Sequence, residues 1–330
     1  MGDRGSPPVP WLAVAAITVG LGAVAAALLQ PWTRDFLDWR RVLDAGASWA
    51  SGGDPYSVPG YFYTPAMAAV AAVLPDWSAW IVVLAGLAVA VALSPRHPLA
   101  VLAVLCYPPV WGDLALGNIT ILLTGALVLA TSADRPLRGV PLGIGLALVP
   151  KPMFVPVLIW MLAHRRRSLS GVVGGGVAVT APALLSGLYP AFVVALAHGI
   201  EPAFAGNLGV SVWLPWAGVP VSLVAVAVAA MAARRDKAGL MAAGIAGTLI
   251  GTYVGLYAPV LPAALLARYA RDEPRRGLVI AAIGSVAWLA LPIVAAVGLA
   301  VTLLPDRLAR DSRQTAPAEL SGREPEDSRA

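Results

Sequence analysis

Long apolar runs separated by short polar clusters fill the chain from about residue 10 to residue 304. The runs 11–30, 78–94, 98–111, 118–132, 169–187 and 215–233 each read as one helix crossing a hydrocarbon core about 30 Å thick. Basic residues gather between or after them: Arg96, Arg135 with Arg138, Arg165 to Arg167, Arg234 with Arg235 and Lys237, and Arg268 to Arg276. The positive-inside tendency makes those turns cytoplasmic. Two further stretches, 139–163 and 238–267, carry basic clusters at both ends, so a single crossing would put arginines on the wrong side. Each is predicted to be a hairpin of short helices, broken near Pro150–Pro152 and near Tyr257–Pro259, where proline removes a backbone donor. The last stretch, 277–304, contains Pro292 and reads as one tilted helix or another hairpin. The expectation is an all-α, polytopic transmembrane helical bundle of about 10 to 12 spans.

The opposite face then receives a first external loop at 31–63 with a short helix at 64–74, a turn at 112–118, and a loop at 189–213. One transmembrane domain, 1–304, is expected, followed by a polar tail, 305–330, too poor in apolar residues to order itself. Composition agrees: 58% of residues are hydrophobic and 12% charged, against about 25% charged in soluble domains. Mean hydropathy is +0.77. The net charge of +5 does not point to nucleic acid, because no basic patch is interleaved with stacking aromatics. The run after Asp3 and Arg4 lacks a small-residue cleavage site and reads as an uncleaved first span. Cys106 is the sole cysteine, which excludes a disulfide framework or a thiolate metal site. His97, His164 and His198 form no ligand pattern and no carboxylate cluster demands a divalent cation, so no metal or other cofactor is expected. Only two of the 23 basic residues are lysine, the bias of a GC-rich bacterium, which places the chain in a bacterial plasma membrane.

The loop from Arg34 to Tyr63 holds the candidate chemistry. Phe36, Trp39, Leu43 and Ala50 fall at helical spacing and predict an amphipathic helix on the membrane surface, ended by Gly52 and Gly53. Asp54-Pro55-Tyr56 predicts a turn. Asp35, Asp38 and Asp44 sit beside apolar surface, where burial would tune a carboxylate towards general-base work. The competing reading is that these acids only solvate an external loop. Arg34, Arg40 and Arg41 lie on the face that disfavours basic residues, and the arginine fork suits phosphate or a lipid headgroup. Lys151 stands between two prolines in mid-hairpin, where an intramembrane charge points to function, with a phosphate as its partner, or to a lysine snorkelling to the interface. His198, Glu201 and Asn207, followed by Ser211, are candidate ligand contacts or simply a polar loop. The tryptophans near span ends form an interfacial belt.

Several of these segments keep a recognisable order. Asp38, the Gly53-Asp54-Pro55-Tyr56 turn and Phe62-Tyr63-Thr64-Pro65 resemble the first external loop of glycosyltransferase family 87. Leu116 to Ala130, Gly143 to Arg167 and Gly206 to Leu214 resemble its later motifs, so the resemblance covers most of 31–215. Asn118 stands where that family usually has glutamine, and residues 250–262 depart from its Ser-Pro-x-x-Trp-x-His turn. The family's members are polyprenol-phosphate-mannose-dependent α-mannosyltransferases with the GT-C fold. The resemblance implies an external site in which Asp38 is the catalytic base, with Asp35 its competitor. It implies that Lys151, Arg40 and Arg41 face the donor phosphate and that Tyr56, Tyr63 and Asn118 contact substrate. It further implies a polyprenyl-phosphate-sugar donor and a lipid or glycolipid acceptor as partners. The alternatives from other classes are a transporter or flippase of a lipid-linked intermediate, or a membrane scaffold without catalysis.

Overall fold

The computed structural model describes residues 9–33, 36–94, 98–199, 208–250, 254–255, 257–287 and 290–303. Among the described residues the chain is a bundle of sixteen α-helices with no strand. In chain order they are α1 (Val9–Thr33), α2 (Leu37–Ala50), α3 (Pro65–Ala71), α4 (Ser78–Leu93), α5 (Pro98–Cys106), α6 (Pro108–Ala115), α7 (Thr120–Ser132) and α8 (Pro136–Leu148). After them come α9 (Val155–His164), α10 (Arg166–Leu184), α11 (Tyr189–Gly199), α12 (Gly218–Ala232), α13 (Lys237–Gly247), α14 (Val260–Asp272), α15 (Pro274–Ala287) and α16 (Leu291–Leu303). Prolines open α3, α6 and α8, where a missing N–H costs nothing because the first turn has no intrahelical acceptor for it.

Both hairpins expected at 139–163 and 238–267 are present, as α8 with α9 and α13 with α14. The stretch 277–304 is two helices, α15 and α16. Three expectations need correction. The run 98–111 breaks at Tyr107, ahead of Pro108-Pro109, so that α5 and α6 are bent by 61°. The segment expected to be a loop from Tyr189 contains α11, which turns 106° from α10. Its apolar content, with Pro190 in the first turn, is enough for a short helix. The third concerns α2, whose buried face is Trp39, Val42, Ala45 and Gly46, packed against α3 inside the protein. Of the expected stripe Phe36, Trp39, Leu43 and Ala50, Trp39 is buried, Phe36 and Leu43 are partly buried and Ala50 is exposed. The tail 305–330 lies outside the described residues.

Helix ends converge on two faces. At one face Thr131 at the end of α7 accepts from Arg165 (3.1 Å) and Arg268 (3.4 Å). His164 meets the carbonyl of Ala233 (2.7 Å), Arg235 donates to Leu303 (3.1 Å), and Lys237 pairs with Asp272 (2.7 Å). Basic side chains thus cap carbonyls at helix C-termini, where their charge is favourable. At the opposite face the N–H of Asp38 donates to Leu116 (3.0 Å), that of Thr64 to Leu148 (3.3 Å) and that of Leu208 to Val254 (2.7 Å).

Between the faces, Leu127, Leu142, Phe154, Trp160, Met241 and Leu261 form the core. Helices α8 and α10 approach closely through Gly139, Gly143, Gly171 and Gly175; a Cβ at Gly171 would run into the carbonyl of Pro136. Small residues four apart allow this approach, and packing supplies the stabilisation. Outward faces are apolar: Val173, Leu223 and Ile293 are 58%, 66% and 68% exposed. By length and composition, among the described residues, Pro215–Ala232 is long and apolar enough to cross a membrane alone. The α5–α6 and α10–α11 pairs qualify only as bent units, and the remaining apolar helices are shorter.

Candidate active site

Asp38 sits one residue into α2, at the face opposite the arginine-rich end. Phe36, just before the helix, holds a left-handed backbone (φ 47°), which a bulky residue adopts only when its surroundings impose it. Here its ring packs edge-on against Trp80 at 5.0 Å. The Leu116 carbonyl accepts from the first-turn N–H groups of Asp38 (3.0 Å) and Trp39 (3.4 Å). Trp39 anchors the same turn by donating from Nε1 to Ser78 at 2.9 Å. The neighbouring Gly117 has φ +66°, and a Cβ there would come within 2.9 Å of the Trp39 Cβ. Only glycine meets both demands, so this turn seats α2 on the bundle.

Asn118 then reaches the carboxylate: its Nδ2 donates to Asp38 Oδ2 at 2.7 Å. The amide cannot flip, because its Oδ1 already accepts from the Thr120 N–H (3.1 Å) and Oγ1 (2.9 Å). Asn118 is 2% exposed, whereas the Asp38 side chain remains 18% exposed. Arg41 NH1 lies 3.6 Å from Asp38 Oδ1, one helical turn along α2. The acid is therefore oriented, partly dry and still accessible.

Lys151, in the break between α8 and α9, stands in electrostatic reach of Asp38. Its ammonium lies 4.0 Å over the ring of Tyr257, which itself stands beside Asn118. Sequence reasoning had used Tyr257 only to locate a helix break. It had missed Asp113, which falls in the stretch 112–118 read as an external turn. Asp113, on α6, is fully buried and accepts from the Ile121 N–H at 2.8 Å through Oδ2. Its Oδ1 has no hydrogen-bond partner among the described residues. It shares the electrostatic environment of Lys151 and Asp38, so both carboxylates lie in the field of one half-buried cation.

Of the other expected residues, Tyr63 joins this cluster, close to Asp38, Asp113 and Tyr257. Tyr56 lies one layer out: it donates to the Tyr63 carbonyl (3.1 Å) and its ring packs near Tyr61 and Phe192, the latter on α11. Burial lifts the phenols of Tyr56 and Tyr61 well above their ordinary range, so both stay neutral donors. Arg40 is exposed. Asp35, Glu201 and Asn207 lie outside the described residues, as does the side chain of His198. Among the described residues no group of three or more His, Cys, Asp or Glu is placed to hold a metal ion.

The cluster offers an oriented carboxylate that can take a proton and, within its electrostatic reach, a half-buried ammonium that can hold an anion. No family model, curated protein or solved structure matches the chain.

Proposed function

We propose that this chain is a multi-pass bacterial plasma-membrane glycosyltransferase of the GT-C type. On this reading it moves a mannosyl residue from a polyprenyl phosphate to a lipid-linked or glycolipid acceptor on the extracytoplasmic side. The membrane part rests on the apolar outer faces and on the basic residues collected at one end. α2, α3 and α11 then lie at the outer face and α5 with α6 makes one bent crossing, which leaves twelve crossings.

The observation that carries the catalytic part is the 2.7 Å contact from Asn118 to Asp38, with Lys151 in the same cluster. Asp38 takes the proton of the acceptor hydroxyl as that oxygen bonds to the anomeric carbon. The bond from that carbon to the donor phosphate breaks, and its electron pair leaves on the phosphate oxygen, whose added charge Lys151 offsets. Attack opposite the leaving group inverts the anomeric centre. The donor supplies the activated bond, so no nucleotide enters the scheme.

A half-buried lysine in the field of two acids, in a bundle with broken helices, would also serve a transporter of lipid-linked intermediates. Purified protein given synthetic polyprenyl-phosphate mannose with the label in the sugar separates the two. Transfer of label to a lipid acceptor in detergent supports the transferase. Failure across several acceptors, with translocation of the intact donor in reconstituted vesicles, replaces it with the transporter.

A further inference from the structure

A second feature lies apart from the Asp38 cluster. An apolar cavity of about 450 Å³ runs between α1, α4, α5 and α13 to α16. None of Asp38, Asn118, Asp113, Lys151 or Tyr257 lines it, and its single charged lining residue is Arg271. Most hydroxyls in its wall are already used: Thr18 pairs with Ser285 at 2.8 Å and Thr248 bonds its own helix at 2.7 Å, which leaves the phenol of Tyr107. The wall therefore has little to offer a polar ligand and suits hydrocarbon.

Its geometry gives it a direction. Along α14 the lining runs from Val260 to Arg271, about 17 Å at the helical rise. One leaflet of a hydrocarbon core is about 15 Å deep. Trp11, near the start of α1, lines the same cavity, and a cation with an indole is the pairing that meets lipid headgroups at an interface. Arg271 has no ion-pair or hydrogen-bond partner among the described residues. A phosphate held at Lys151 would lie at the other end of α14, too far to use it.

We propose that this cavity seats an acyl chain of an anionic phospholipid from the leaflet at the basic face, with its phosphate on Arg271 and Trp11 beside the headgroup. The inference rests on the membrane reading above and not on glycosyl transfer. The bound lipid would fill space between α1, α14 and α15 and tie these helices together where Thr18 and Ser285 meet.

The test is lipid retained by the purified full-length chain. Protein is extracted from membranes in a mild non-ionic detergent, delipidated by extended washing, and its residual phospholipid identified by mass spectrometry. Gly284 lines the cavity and has nothing within 4 Å of where a Cβ would sit, so Gly284→Phe starts a large side chain in open space at the cavity wall. The expected result is about one anionic phospholipid per chain in wild type and none in Gly284→Phe. Arg271→Gln should lower retention about fivefold, the worth of one basic residue at an anionic surface, while zwitterionic lipid is unaffected. Asp38→Asn should retain lipid as wild type does, which separates this idea from the transferase reading. Gly284→Ala and the melting temperature of each variant control for folding. Wild type without tightly held phospholipid, retention indifferent to Gly284→Phe, retention indifferent to Arg271→Gln, or polyprenyl phosphate in place of phospholipid would each overturn the proposal.

Discussion

Asn118→Ala probes the link between fold and chemistry at a single side chain. The change removes the donor 2.7 Å from Asp38 and the acceptor of the Thr120 N–H. At 2% exposure the site admits little water to replace either. A hydrogen bond to a charged group contributes about 1.5–3 kcal/mol, and a buried N–H left without an acceptor costs about 1–3 kcal/mol more. The Thr120 hydroxyl can turn to another acceptor, so the expected loss of stability is nearer the lower end, about 2–4 kcal/mol. If the amide orients Asp38 for proton transfer, its share appears in the rate. At about 1.4 kcal/mol per factor of ten, kcat/KM should fall about 10- to 100-fold. Thermal unfolding and turnover per folded molecule are measured together. Ser168→Ala serves as the control, because its buried hydroxyl bonds Ala130 at 2.7 Å far from Asp38. That variant should lose about 1 kcal/mol of stability and keep its turnover per folded molecule. Wild-type turnover in folded Asn118→Ala would refute the reasoning, whatever its melting temperature.

Other expectations follow from the same geometry. Lys151→Met removes the cation whose field reaches Asp38 and Asp113 and should lower stability as well as transfer. Adding Asp113→Asn should restore accumulation in membranes but not transfer; restored transfer would remove Lys151 from the chemistry. Gly171→Leu drives a side chain into the Pro136 carbonyl and should abolish accumulation, whereas Gly174→Ala, with nothing within 4 Å, should stabilise by about 0.5–1 kcal/mol; equal melting temperatures would contradict the close packing of α8 on α10. The raised phenols of Tyr56 and Tyr61 give stability that is complete below their unfolded value near 10 and declines as pH rises past it. Phenolate absorbance from these two residues should therefore appear only with unfolding, and its appearance in the folded protein at pH 10 would contradict their burial.

The helical layout was legible because span length, proline and the placement of arginines are local signals. The breaks beside Pro150–Pro152 and Tyr257–Pro259 came from the need to return each basic cluster to one face. The pairing of Asp38 with Asn118 was expected only as two motifs in order, 80 residues apart; the turn at Gly117 that joins them is a tertiary fact. The face that α2 buries was not legible from period alone. Gly46 lacks a Cβ, which lets the backbone of Ala71 approach, and this turns Val42 and Ala45 inward in place of Leu43. Asp113 lay inside a segment already read as an external turn, where an acid attracts no notice. Its burial arises because α7 packs back on α6 and presents the Ile121 N–H to it. α11 was hidden for the opposite reason, its apolar content being masked by the polar residues that flank it.

Labelled mannose transfer by purified wild type and Asp38→Asn, with donor binding measured in parallel, bears most directly on the central claim. A positioned general base contributes about 10²- to 10⁴-fold, so Asp38→Asn should lose that much turnover while holding the donor with near wild-type affinity. Undiminished incorporation by Asp38→Asn would contradict the account.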